Sequence, residues 1–337
     1  MKNYNNKTFN GYIEGYYGHL LNWKERIKII DRLSKNKMKY YFYAPKEDDK
    51  HRLNWKKKYN NEWKQCFVEF CSYAKSKNII VIAGISPGLN FNLKEFNQKN
   101  QKNHISLDFK ILAKKSLDLL KCGAQDIAIL FDDLPDNFYK IYGNHFSEGY
   151  IHAKISNKLS TFLNINIYVV PRIYADQLVE NDTQYLLDYG KEIYHKNITF
   201  YSGKDIVSKT INKTTLFKIS QIIPTTIIFW DNFYANDYCP RRIFLGPYIG
   251  RSEINNIMIN PTGLIETDLL ILDIIMKTKN SLTPFEDWKS VLKKNNIPKA
   301  FLYVSNFFLK PDFGKNPNLK KNQDNDIIIK KLDYLLW

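Results

Sequence analysis

Two adjacent carboxylates, Asp132 and Asp133, close a run of five apolar residues, Ile127-Ala128-Ile129-Leu130-Phe131, that Asp126 opens. Neighbouring carboxylates disfavour each other's charge, so one tends to keep its proton while the other ionises. Such a pair supplies an acid and a base side by side. The apolar run reads as a strand buried on both faces, the kind found in parallel sheets covered by helices. In those sheets chemistry gathers at the carboxyl ends of the strands, which is where this pair stands. Asp is equally at home capping a following helix. Residue type and position leave both readings open.

The elements that would carry the pair form a repeating pattern. Strand-like runs fall at 11–18, 40–46, 79–84, 126–133, 165–170, 198–201, 226–232 and 257–261. Helical patterns separate most of them, at 62–75, 107–120, 149–163, 183–193, around Leu216 and at 264–276, and Asn22 is placed to cap a helix whose Trp23, Ile27 and Ile30 share one face. Eight runs in this order predict a (β/α)8 barrel in preference to an open doubly wound sheet. Five of the runs end in side chains with chemistry: Lys46, the Asp132-Asp133 pair, Tyr174, Asn232 and Asn260. Each alone reads as a turn residue or a strand aromatic. Repeated at one end of successive strands, they point to a single pocket, because a barrel brings all strand carboxyl ends to one face.

The 337 residues suffice for one such barrel with additions, and the expected division is a barrel over 8–280 and a short helical and irregular extension over 281–337. Within the extension, 285–295 looks helical, 310–326 is rich in Lys, Asn and Pro, and 327–337 is an amphipathic run able to dock on the barrel. A net charge of +16 suggests polyanions, but the lysines are spread along the chain and the clusters at 56–58 and 320–321 are short. They read as solvated faces, so no nucleic-acid partner is expected. The start of the chain has no apolar signal core, and no apolar run is long enough to span a bilayer, so a cytoplasmic protein without membrane contact is expected. The four cysteines lack metal-ligand spacing and read as reduced thiols; no metal or cofactor is expected. Gly84-Ile85-Ser86-Pro87-Gly88 matches a nucleophile elbow, yet the stretch after Ser86 looks like loop where the elbow needs a helix. His145, His152 and His195 come later, in hydrolase order, without a context that marks a base.

Several longer motifs, in order from about Gly11 to the helix after Asn260, resemble those of glycoside hydrolase family 84. They are Glu14-Gly15-Tyr16-Tyr17-Gly18, Tyr43-Ala44-Pro45-Lys46, His51-Arg52, Ile85-Ser86-Pro87-Gly88 and Leu130-Phe131-Asp132-Asp133. Further on come Trp230-Asp231-Asn232, Ala235-Asn236-Asp237-Tyr238, Phe244-Leu245-Gly246-Pro247-Tyr248 and Gly250-Arg251-Ser252. The resemblance implies a retaining enzyme that removes β-linked N-acetylglucosamine from Ser and Thr of proteins. It also implies substrate-assisted catalysis, in which the sugar's own acetamido oxygen attacks and forms an oxazoline. By motif, Asp132 would orient the acetamido N–H and stabilise its developing positive charge, and Asp133 would protonate the leaving oxygen and then activate water. Gly15 would bring its backbone close to the sugar, and Lys46 and Asn260 would hydrogen-bond to it. Tyr174 would contact the acetamido group, Asn232 and Asp237 would fix hydroxyls, and Trp230 would wall the acetamido pocket.

The chain departs from the family pattern in two places. Arg172-Ile173 stands where Thr-Glu usually precedes the tyrosine, and Lys46-Glu47-Asp48-Asp49 where Lys-Asp-Asp usually follows Ala-Pro. The sequence leaves little room for the helical stalk or acetyltransferase-like region of larger relatives, so a monomer with weaker peptide selection is expected. The partners expected are O-GlcNAc-modified proteins or GlcNAc-terminated glycans. Rival readings are a hydrolase of free glycans or hyaluronan fragments, or a non-catalytic sugar-binding protein, against which the intact acid pair argues. Adjacent strand residues point to opposite faces, so both acids reach one pocket only if the strand has ended by Asp133.

Overall fold

β-Branched and aromatic side chains fit a pleated surface, and the runs rich in them become strands. In the computed structural model of the protein, which describes residues 8–93, 106–135, 138–143, 147–181 and 183–311, eight parallel strands close into a barrel in chain order. They are β1 (Asn10–Glu14), β2 (Tyr40–Tyr43), β3 (Ile80–Ile85), β4 (Asp126–Leu130), β5 (Tyr168–Val170), β6 (Ile198–Tyr201), β7 (Thr226–Asp231) and β8 (Ile257–Ile259). Around them lie α1 (Trp23–Lys35), α2 (Asn61–Ser76), α3 (Leu107–Lys121), α4 (Phe138–Tyr142), α5 (Glu148–Leu163), α6 (Thr183–Glu192), α7 (Lys213–Ser220) and α8 (Ile265–Thr278). α9 (Pro284–Lys294) and α10 (Phe301–Val304) follow the last barrel helix. This is the (β/α)8 barrel the pattern predicts. Between β7 and β8 the connection is irregular backbone in place of a helix.

Helix starts are set by local chemistry. Asn22 accepts from the Glu25 N–H at 3.0 Å while Glu25 reaches back to the Asn22 N–H at 2.8 Å, a capping box that stabilises α1 by about 1 kcal/mol. Asn60, Ser147 and Asn212 cap α2, α5 and α7 through the side-chain acceptor alone, without the reciprocal bond. The fifth strand starts three residues later than the apolar run at 165–170 suggests. Asn164 adopts the left-handed region at φ +53° to end α5, and the Ile165 N–H bonds back to Ser160, so the chain is still leaving the helix.

Side-chain alternation along the strands sorts the core into two. One face packs on the helices; the other fills the barrel with Phe9, Ile13, Tyr40, Phe42, Ala44, Ile82, Ala128, Leu130, Tyr168, Val170, Ile198, Phe200, Ile228, Trp230 and Met258. Period two then dictates the next layer up. Two residues past Ile13 stands Gly15; past Ala44, Lys46; past Leu130, Asp132; past Trp230, Asn232; past Met258, Asn260. The first part of the extension docks on the barrel: Trp288 donates to the Leu245 carbonyl at 2.5 Å, and the Leu245 N–H donates to Phe308 at 2.7 Å. The run at 327–337 and most of 310–326 lie outside the described residues, as does His145.

Candidate active site

At the carboxyl ends of the strands this polar layer borders a pocket of about 380 Å³. That is the size of a small-molecule site. All nine residues expected there line it: Gly15, Lys46, Asp132, Asp133, Tyr174, Trp230, Asn232, Asp237 and Asn260. Its floor is aromatic. Trp230 meets Phe42 and Phe200 edge-on, with ring centres 5.8 and 5.9 Å away.

Both acids reach the pocket because β4 ends at Leu130 and Asp133 turns into the left-handed region at φ +54°. Asp tolerates that region better than most residues. The Arg52 guanidinium holds the turn, donating to the Asp133 backbone carbonyl at 3.1 Å. Asp133 therefore does not cap the next helix: it sits inside a turn. The Lys46 ammonium, buried, bonds Asp132 Oδ2 closely and lies 3.2 Å from Asp133 Oδ2. Asp133 Oδ2 also accepts from the Tyr17 hydroxyl at 2.8 Å, and the Tyr174 hydroxyl stands 3.5 Å from Oδ1. Asp132 Oδ1 is buried and has no partner among the described residues.

These surroundings distribute charge differently from the sequence expectation, which gave Asp133 the proton. Burial pushes Asp132 above the usual carboxylate range, with Lys46 only partly offsetting it. Burial acts on Asp133 too, but there Lys46 and the Tyr17 hydroxyl outweigh it and hold the carboxyl below the usual range. Two coupled carboxylates titrate as a pair, and in this geometry Asp132 is the one that favours the proton. Burial disfavours the Lys46 ammonium, yet the two carboxylates outweigh that and keep it charged.

The opposite wall is an amide relay. Asn232 Oδ1 accepts from Trp230 Nε1 at 2.9 Å and from Asn260 Nδ2 at 3.0 Å. Asn232 Nδ2 donates to the Ile206 carbonyl at 3.0 Å, and Asn260 Oδ1 accepts from the Gly15 N–H at 3.1 Å. Each amide NH₂ keeps one N–H beyond these bonds for a ligand. Gly15 is a close-approach position: a Cβ there would come within 2.4 Å of the Trp230 ring. Just before it, Glu14 is clamped by Arg26 at 2.7 and 2.9 Å and by the Tyr41 hydroxyl at 2.6 Å, which fixes the end of β1.

Asp237 comes from the β7–β8 connection, where each of its oxygens accepts one backbone N–H, from Tyr17 and from Tyr238. The root of that connection is tied by buried Asp231, which accepts from Arg251 Nε at 2.8 Å and the Tyr248 hydroxyl at 2.7 Å. Arg172, one of the departures from the family pattern, pairs with Glu148 of α5 at 2.7 Å, and its N–H donates to the Tyr185 hydroxyl of α6 at 2.9 Å. Helix side chains thus set the turn that carries Tyr174.

Tyr17, Gln177, Ile206, Val207 and Tyr238 also line the pocket and were not expected there. Tyr17 was within reach of the period-two rule, two residues past Gly15; Gln177 sits on a 3₁₀ helix at Asp176–Asn181 and the others on connections, and none leaves such a signal. Ser86 is buried with its hydroxyl unpartnered among the described residues, and a short 3₁₀ turn at Gly88–Asn90 comes next where a nucleophile elbow needs an α-helix. Among the described residues no group of three His, Cys, Asp or Glu side chains is arranged to hold a metal ion. Nor is any helix among them long and apolar enough to cross a membrane.

The sequence model of the β-N-acetylglucosaminidase family matches residues 10–270, most of the chain and all eight strands. The chain belongs to that family. It is 30% identical over 275 residues to the Protein O-GlcNAcase of Rattus norvegicus and to that of Mus musculus, matches that cover 78% of this chain. It spans only 29% of the length of those relatives. Among solved structures it is similar to CpGH84B, with a TM-score of 0.73 and 22% identity over 85% of this chain and 51% of that one. It is also similar to a point mutant of the Thermobaculum terrenum O-GlcNAc hydrolase, with a TM-score of 0.76 and 22% identity over 89% of this chain and 66% of that one. At that identity the two likenesses speak for the fold. With the family established, the motif resemblance to the catalytic domain of glycoside hydrolase family 84 holds along the barrel.

Proposed function

We propose that this chain is a retaining exo-β-N-acetylglucosaminidase that removes O-linked N-acetylglucosamine from Ser and Thr of proteins by substrate-assisted catalysis. The observation that carries the reading is Asp132. Lys46 holds one of its oxygens, and the other is a buried acceptor without a donor among the described residues. An unsatisfied buried acceptor costs about 1–3 kcal/mol, and the N–H of a 2-acetamido group is the donor that fits.

The chemistry grows out of that contact. The acetamido oxygen attacks the anomeric carbon as the glycosidic bond breaks, and the amide nitrogen becomes cationic in the oxazoline. Ionised Asp132 accepts its N–H and stabilises the charge. Asp133 protonates the leaving Ser or Thr oxygen, then takes a proton from the water that opens the oxazoline, and two inversions give net retention. Substrate binding favours these protonation states: an N–H donor on Asp132 stabilises its charged form, and a leaving oxygen at Asp133 replaces donors that hold that carboxyl ionised. The remaining amide N–H groups of Asn232 and Asn260 and the spare lone pairs of Asp237 suit sugar hydroxyls. The Trp230 floor closes the pocket behind one terminal sugar, and Tyr174 lies beside the acetamido site.

The test is hydrolysis of an aryl β-N-acetylglucosaminide beside its N-trifluoroacetyl analogue, with Asp133→Ala as control. Turnover should fall steeply with fluorination, and Asp133→Ala should lose most activity on poor leaving groups while sparing good ones. Turnover indifferent to fluorine would mean the protein supplies the nucleophile. A GlcNAc-modified peptide should be cleaved with a higher kcat/KM than chitobiose; the reverse order would make free glycans the substrate.

A further inference from the structure

Tyr17 has no part in the scheme above, yet its hydroxyl occupies the oxygen of Asp133 that also faces Lys46. We propose that Tyr17 is a positioning residue for the reaction, a latch that keeps Asp133 ionised until the leaving oxygen of a substrate displaces it. The proposal rests on Asp133 being the general acid.

The geometry is specific. The Tyr17 hydroxyl donates to Asp133 Oδ2 at 2.8 Å, and its backbone N–H donates to Asp237 Oδ2 at 3.1 Å, so one residue ties the acid to the far side of the pocket. The next peptide is pinned as well, with the Gly18 N–H 2.8 Å from Glu47 Oε1. Lys46 and Arg52 flank the ring, each 5.7 Å from its centre, and both bind Asp133 themselves. The groups facing the Asp133 carboxyl are therefore Tyr17 after β1, Lys46 after β2, Arg52 beyond it, Asp132, Tyr174 after β5 and Asp237 after β7. Of the two that bond Oδ2, Lys46 is buried and shared with Asp132, whereas Tyr17 is 39% exposed at the rim. Tyr17 is the donor that can yield its place. Burial holds its own pKa up, so it stays a hydroxyl donor at neutral pH.

A donor on a carboxylate favours the ionised form, so releasing it raises that group's affinity for a proton. Arrival of a leaving oxygen would thus uncover Asp133 and make it a better acid in one step. The pH dependence of kcat/KM reports the free enzyme and that of kcat the complex, which separates the two states. In Tyr17→Phe the basic limb of kcat/KM should move up by about one pH unit, the size expected for one lost hydrogen bond to a charged group, while the basic limb of kcat stays in place. Carboxyl carbon-13 titration of free protein, with Asp133→Asn to assign the signal, should show the same rise for Asp133. The Phe ring keeps its packing between Lys46 and Arg52, so Tm should change little. Limbs that move together, or an Asp133 titration unchanged in Tyr17→Phe, would overturn the latch. Absence of turnover in the wild type would instead sink the proposed function, and the carboxyl titration would still decide the latch.

Discussion

Replacing Lys46 with Met keeps most of the apolar stem and removes the cation that binds both acids. In the wild type Lys46 is buried, Asp132 is buried, and the Asp133 side chain is 31% exposed. Removing one partner of a buried ion pair costs about 3–5 kcal/mol, and screening at the partly exposed Asp133 places the expected loss near the lower end. The loss must depend on pH. Asp133, held below its usual range, contributes stability present above its unfolded pKa and lost as pH falls through the folded one. Without Lys46 both carboxylates rise, so in the variant each would contribute stability present at low pH and lost as pH rises. The gap between wild type and variant should therefore open with pH. At pH 8, where both acids ionise unpaired, it should reach about 3 kcal/mol, or roughly 4–5 °C in Tm for a domain of this size. At pH 4, where the variant's acids carry protons, about 1 kcal/mol or less should remain. Urea unfolding at the two pH values measures this directly. A gap equal at both, or one that closes toward pH 8, would refute the idea that Lys46 is there to hold two charges.

Two further substitutions probe the scaffold of the site. Gly15→Ala would place a Cβ 2.4 Å from the Trp230 ring, which its bond to Asn232 holds in place. The floor must shift, so kcat/KM should fall by about two orders of magnitude, with a destabilisation of about 1–3 kcal/mol in urea; wild-type kinetics would show that the floor does not position the sugar. Asp231→Ala would leave the Arg251 guanidinium, fully buried, without its carboxylate. A loss of about 3–5 kcal/mol by urea unfolding is expected, and a loss under about 1 kcal/mol would mean the pair does not hold the β7–β8 connection.

The barrel was legible because its signals are local. Apolar runs of strand length, interrupted by capped helices, leave few ways to close a sheet. The boundaries missed were those set by a competing local structure, as at 165–167, where the end of α5 overrides β-propensity. Four site residues were legible for the same reason: Lys46, Asp132, Asn232 and Asn260 each continue the inward register of a strand by two residues, as does Gly15, which only the family motif named. The others do not follow from register. Asp133 enters the pocket through a left-handed turn that Arg52 holds from 81 positions away in the chain. Asp237 and Tyr174 sit on connections whose shape depends on Asp231 with Arg251 and on Arg172 with Glu148. Asp133 and Tyr174 were legible as side chains at strand ends, but not the turns that aim them; Asp237 was reached through the family motif alone.

The protonation order was the least legible feature, and the reason is physical. Like-charge repulsion says only that two neighbouring carboxylates differ; it cannot say which one holds the proton. Burial and donors decide that, and both are properties of the assembled barrel. Asp132 lies deeper and has an oxygen without a partner among the described residues, whereas Asp133 gathers Lys46 and Tyr17. The site is therefore arranged against the protonation that the proposed first step needs. Both changes that reverse it, an N–H donated to Asp132 and a hydroxyl displaced from Asp133, are ones that a glycoside with a 2-acetamido group can bring. A sugar without that group could displace Tyr17 but leave Asp132 Oδ1 unsatisfied, so acid–base pairing and substrate choice would be one property of this pocket.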